Sequence, residues 1–153
     1  MQISEILDIE RIENNIDVKS KKRALEELSN LMVQDQTQLD TGEIFDSLIS
    51  RERLGATGVG YGIAIPHGRI KNCEKITGAF VKLKESVDFD TSDNLPVDIL
   101  FALIVPEEST DEHLQVLAFL ASMFSDKNFR EKLRKSDSPE DTYQLLTSWQ
   151  KTD

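Results

Sequence analysis

Apolar residues recur at helical spacing over residues 20–33, where Ala24, Leu25, Leu28, Leu31 and Met32 share one face and charges fill the other. That pattern predicts an amphipathic helix. A second helix is predicted from Asp40 or Thr41. Asp40 and Glu43 have the spacing of a capping box, Ile44, Phe45, Leu48 and Ile49 form the apolar stripe, and the helix runs to near Arg51 before Gly55 ends it. The period then changes. Ile76–Leu83 is rich in β-branched and apolar residues and reads as a strand, and Val97–Val105 is apolar at every position but Asp98. Such a run marks a central strand covered on both faces, and Pro106 stops it. Helical spacing returns after Ser109 and Glu112, a second capping-box pair, with Leu114, Leu117, Ala118, Ala121 and Phe124 on the expected inner face. A short amphipathic piece follows around Phe129–Leu133. Ser138-Pro139 then opens a last helix, with Tyr143, Leu146 and Trp149 turned inward. Helices, then strands, then helices predict an α/β fold with a mixed sheet rather than a simple βαβ repeat.

No linker, repeat or low-complexity stretch divides the 153 residues, so a single domain over 1–153 is expected. The acidic start MQISEILDIE lacks the basic and apolar regions of a secretion signal, and the one cysteine, Cys73, fits a reducing compartment. The longest apolar run is too short to span a bilayer. A cytoplasmic location without membrane insertion is expected. The net charge of −10 argues against a nucleic-acid partner. Two basic clusters, Lys19/Lys21/Lys22/Arg23 and Lys127/Arg130/Lys132/Arg134/Lys135, read as solvated helix faces.

Chemistry concentrates elsewhere. Five of the seven glycines lie between Gly55 and Gly68, and the segment ends in Ile65-Pro66-His67-Gly68, holding one of only two histidines. The glycines fit neither a dinucleotide fingerprint nor a P-loop, and no metal-ligand spacing accompanies His67. No metal or diffusible cofactor is expected. Pro66 forces Ile65 into an extended conformation, so His67 is expected at the end of a short strand over Tyr61–Ile65. A neutral imidazole there could attack a phosphoryl group while its other nitrogen bonds a backbone carbonyl. Bare N–H groups at Gly58, Gly60, Gly62 and Gly68 would help hold the anion. His113, near the positive end of its helix, and Arg51, a permanent cation, are the candidate helpers. Taken alone, the residues leave a second reading open: a loop histidine making one structural hydrogen bond.

The segment LGATGVGYGIAIPHGRI (Leu54–Ile70) resembles the phosphorylation site of the mannitol/fructose-class enzyme IIA domains of the bacterial phosphotransferase system, most nearly the nitrogen type. The likeness extends to SKKRALEEL, SRERLGATG and PVDILFALIVPEE followed by His113-Leu114, almost the whole chain. It implies a three-layer α/β/α sandwich around a mixed sheet. It also implies a phosphohistidine carrier that receives its phosphoryl group on Nε2 of His67 from an HPr-like phosphocarrier, with His113 and Arg51 as the other site residues. For the nitrogen type it implies regulated partner proteins, with potassium transport or a sensor kinase among the themes, and no small-molecule turnover. Tyr61 stands where a smaller polar residue is the expectation. Two alternatives remain at this stage: a sugar-class IIA that passes phosphate to a IIB protein, and a binding module of the same fold that has lost transfer.

Overall fold

A computed structural model describes residues 1–109 and 111–151. Two short 3-10 turns, Ile3–Glu5 and Ile9–Arg11, lead into strand β1 (Ile12–Ile16). Helices α1 (Lys21–Val33) and α2 (Thr41–Leu54) follow, then β2 (Gly58–Gly60), β3 (Ile63–Ala64), β4 (His67–Ile70), β5 (Thr77–Val87) and β6 (Val97–Pro106). Helices α3 (Asp111–Phe124), α4 (Lys127–Lys135) and α5 (Pro139–Ser148) complete the order. Polar caps fix several helix starts: Ser20, Asp40, Asp126 and Ser138 each accept a backbone N–H of the first turn. Each such cap contributes about 1 kcal/mol to its helix.

The six strands form one mixed sheet in the order β1-β5-β6-β3-β2, with β4 also on β6. β1 runs parallel to β5, β5 antiparallel to β6, and β3 and β4 parallel to β6. The central strand β6 separates two cores. Leu100, Ala102 and Ile104 face α1 and α2, while Phe101, Leu103 and Val105 face α3, α4 and α5. This is a three-layer α/β/α arrangement. All of Ile99–Val105 is inaccessible to solvent, as the unbroken apolar run requires.

Four expectations need correction. β1 is absent from the sequence reading because IENNI carries two asparagines; Asn14 donates to Thr142 Oγ1 of α5 at 2.9 Å, and Asn15 takes a left-handed φ of 63°. The expected strand over Tyr61–Ile65 is instead a turn followed by the two-residue β3, and His67 begins β4 rather than ending a strand. Ser109 Oγ caps nothing among the described residues; it is buried without a hydrogen-bond partner. The buried face of α3 is His113, Val116, Leu120, Met123 and Phe124, whereas Leu114 is 64% exposed. α3 is apolar on nearly every side, so periodicity alone could not choose its inner face.

Candidate functional site

Two short strands share β6 as their partner. Ile63 lies opposite Ile99 and Ala64 opposite Leu100, while His67 lies opposite Leu103. Between them Pro66 still bonds the ladder through its carbonyl, which accepts Leu103 N–H at 2.9 Å. Ile65 is the residue set free. Its carbonyl turns to the His67 ring and sits 2.8 Å from Nδ1. Only Nδ1–H can donate to a carbonyl, so this contact selects the tautomer whose Nε2 carries the lone pair.

His113 meets this ring from α3, with centroids 5.3 Å apart and planes inclined at 67°. Its Nε2 is buried and has no hydrogen-bond partner among the described residues. Burial pushes the His67 imidazole below its ordinary value, opposed by the Ile65 carbonyl; Arg51 pushes it down further and Glu52 pulls it up. His113 is likewise lowered, first by burial, then by the neighbouring His67 and Arg69. Both shifts favour the neutral rings at pH 7, which leaves the lone pair on His67 Nε2. The charged and titratable groups facing His67 are Arg51 and Glu52 from α2 and His113 from α3, with Arg69 further along its own strand acting on His113.

Arg51, in the last turn of α2, donates to the Gly55 carbonyl at 2.8 Å, its one hydrogen bond among the described residues. The remaining guanidinium N–H groups are available to an anion near His67. Of the three side chains singled out from sequence, His67 and His113 meet edge to face, and Arg51 lies near enough to act on the charge of the His67 ring. The glycines divide. Gly68 adjoins His67, and its bareness serves packing: a Cβ there would lie 3.0 Å from Ser47 Cβ and overlap its Oγ on α2. Gly58 packs its bare face on Thr91, where a Cβ would sit 2.6 Å from Cγ2. Gly60 and Gly62 flank Tyr61 in the β2–β3 turn, and the Gly62 carbonyl accepts Asp98 N–H. That level is five residues from Leu103 along β6, roughly 17 Å at the ordinary strand rise. Backbone donors at Gly60 and Gly62 therefore do not reach a group on His67, which corrects the expectation for those two. Their turn is clamped instead by α4. Arg134 forks onto Asp98 at 2.8 and 3.0 Å and reaches the Tyr61 carbonyl, and Arg130 lies 3.7 Å over the Tyr61 ring.

The sequence reading missed Glu52, Thr57, Lys21 and Arg69. The Glu52 side chain is only 2% exposed and pairs with Lys21 Nζ at 2.8 Å, so Lys21 is drawn inward from its expected solvated face. Glu52 also accepts the backbone N–H of Thr57 at 3.3 Å and the Thr57 hydroxyl. A signal was present: Glu52 falls in helical phase with Ile44 and Leu48, on the buried stripe of α2. Arg69 donates to the carbonyls of Glu107 and Ser109 and so ties β4 to the approach to α3.

The family model for the phosphoenolpyruvate-dependent sugar phosphotransferase system, EIIA 2, matches residues 5–149, and the chain belongs to that family. Within it, the chain is 41% identical over 150 residues to the nitrogen regulatory protein of Pseudomonas aeruginosa, covering 98% of this chain and 97% of that one. The crystal structure of nitrogen regulatory protein IIA-Ntr from Neisseria meningitidis superposes with a TM-score of 0.89 at 44% identity, covering 95% of this chain and 99% of that one. IIA mannitol from Escherichia coli shares the fold, with a TM-score of 0.75 at 22% identity over 91% of this chain and 97% of that one.

Proposed function

We propose that the chain is a nitrogen-regulatory enzyme IIA that accepts a phosphoryl group on His67 Nε2 from a phosphohistidine of an HPr-like carrier and governs partner proteins by its phosphorylation state. The observation that carries this reading is the 2.8 Å contact between His67 Nδ1 and the Ile65 carbonyl, which leaves Nε2 as the free nucleophile beside His113. In the transfer step the Nε2 lone pair forms the new N–P bond. The carrier's N–P bond breaks and its electron pair returns to the carrier imidazole, which leaves neutral. His67 keeps its Nδ1 proton on the Ile65 carbonyl, so the positive charge moves from the carrier ring to the His67 ring. Arg51 and His113 would donate to the phosphoryl oxygens as negative charge spreads over them. The incoming phosphohistidine is already activated, so no diffusible cofactor is called for.

Phosphorylation would add about −1.5 to −2 charges at one point of the surface, enough to switch a partner contact. The likeness to proteins named nitrogen regulatory supports regulation over sugar transport. The test is incubation with phosphoenolpyruvate, enzyme I and an HPr-like carrier, followed by intact-mass measurement. One acid-labile phosphoryl adduct on the wild type, absent from His67→Ala, is expected. No adduct with several HPr proteins would overturn the carrier role and leave a binding module. Onward transfer to a sugar-specific IIB would overturn the regulatory role in favour of sugar transport.

A further inference from the structure

Glu52 is the least exposed carboxylate partner in any ion pair of the described residues, yet it follows directly after Arg51 at the end of α2, beside the reacting histidine. Burying a carboxylate is costly unless it is paired and hydrogen-bonded. Three groups answer that demand here: Lys21 Nζ at 2.8 Å, the Thr57 N–H at 3.3 Å and the Thr57 hydroxyl. Lys21 is itself held from outside, over the Phe89 ring at 4.9 Å and by the Phe89 carbonyl at 3.2 Å. The arrangement is therefore fully satisfied rather than strained.

What it holds is the backbone that orients His67. Thr57, pinned by Glu52 at both its N–H and its hydroxyl, accepts Ile65 N–H on its carbonyl at 3.0 Å. The Ile65 carbonyl in turn faces His67 Nδ1 at 2.8 Å. From Glu52 to the imidazole, each link is a hydrogen bond. The two neighbouring residues of α2 also oppose each other in charge. Arg51 suits the phosphoryl oxygens, whereas a negative group suits the ring, which turns positive when its Nε2 bonds phosphorus.

Building on the carrier reading above, we propose that Glu52 is a positioning residue for phosphoryl transfer. Through Thr57 and Ile65 it fixes the His67 tautomer, and its buried charge stabilises the cationic ring that transfer creates. The forward direction gains from this, because the carrier ring gives up the positive charge that the His67 ring takes on. Removing the carboxylate charge therefore moves the equilibrium back toward the phosphorylated carrier. Lys21 holds Glu52 in place through the 2.8 Å ion pair.

The experiment is 15N–1H correlation NMR of the histidine rings in the full chain, followed by the equilibrium constant for exchange with a phosphorylated HPr-like carrier. Two sets of variants are measured. Glu52→Gln combined with Lys21→Met removes both charges of the pair while keeping an acceptor for Thr57. Thr57→Val removes the hydroxyl donor alone, and Thr57→Ser restores it. Expected results are a single Nδ1–H tautomer of His67 in the wild type, a lower titration midpoint and an equilibrium shifted toward the carrier by up to about tenfold in the neutral pair. Mixed tautomers are expected in Thr57→Val, with recovery in Thr57→Ser. A role limited to stability would lower the melting temperature and leave tautomer, midpoint and equilibrium where they were, and that result overturns the proposal. If the neutral pair does not fold, the Thr57 series decides by the same criterion. A wild type that takes no phosphoryl group while its tautomer still follows Thr57 overturns the carrier reading and upholds the positioning of the ring.

Discussion

The two ends of Gly58–Gly68 look alike in sequence and do different work. One end is a turn, Gly60-Tyr61-Gly62, with all three residues at positive φ, fastened by Arg130 and Arg134 of α4. The other is a strand start, where Pro66 stays on the ladder through its carbonyl and the Ile65 carbonyl turns to His67. Glycine serves geometry at both ends: a left-handed backbone at the turn, close helix approach at Gly68. The proposed chemistry belongs to a side chain, the His67 imidazole. A cluster of glycines therefore marks where backbone must bend or be approached, and the reactive group has to be located by other means.

The sharpest test of that division is His67→Ala, which should abolish phosphoryl uptake while the melting temperature stays close to wild type, since the half-buried ring packs at the margin of the core. Loss of cooperative unfolding in this variant would mean that the strand start is structural and the division false. Next in size, Gly68→Ala should cost about 1–3 kcal/mol of stability by driving a methyl into Ser47. It should also slow transfer, because β4 must move away from α2; chemical denaturation and adduct kinetics would show the two losses together. Gly62→Ala should destabilise by about 1–2 kcal/mol, from φ +80° and a Cβ placed 2.9 Å from Arg134 Nη2, yet leave the transfer rate unchanged. A rate loss comparable to that of Gly68→Ala would show that the turn is coupled to the site.

The smallest effect concerns pH. His67 and His113 are both held below their ordinary value, so the unfolded chain binds more protons than the folded one once pH drops below about 6.5. The stability these neutral rings support is complete above that pH and is lost progressively down to their folded midpoints. Melting temperatures between pH 8 and 5 should fall on the acid side, less steeply in His67→Ala. The transfer rate should stay flat above pH 6.5 and decline once the His67 lone pair is protonated. A rate that rises on acidification would contradict a neutral nucleophile.

Most of the fold could be read from residue pattern where burial leaves no ambiguity. β6 declared itself through consecutive apolar positions, α1 through an apolar stripe, α2 through a stripe and a cap, and α5 through Ser138-Pro139. Reading failed where tertiary contacts override pattern. β1 is a strand because it pairs with β5, with Asn14 bonded to Thr142 of α5, partners that no local window contains. The inner face of α3 was settled by the sheet, and that choice placed His113 inward against His67 and left Leu114 exposed. At the site, His67, His113 and Arg51 were legible as reactive residue types in suggestive places. Glu52 was not, because a glutamate near a helix end ordinarily faces water; only its phase with Ile44 and Leu48 gives it away.

The shared strand has one more consequence. Ile63 faces Ile99 and His67 faces Leu103, so the count stays in step across Ile65 and Pro66. Odd positions there look toward α3 and even ones toward α2, as Ile63 and Gly68 show. Inserting or deleting a single residue between Ala64 and His67 would turn the imidazole to the opposite layer, away from His113. The turn at Tyr61 lies outside that count. A change of length at the turn leaves that phase untouched, whereas between Ala64 and the histidine the spacing itself decides which layer the imidazole enters.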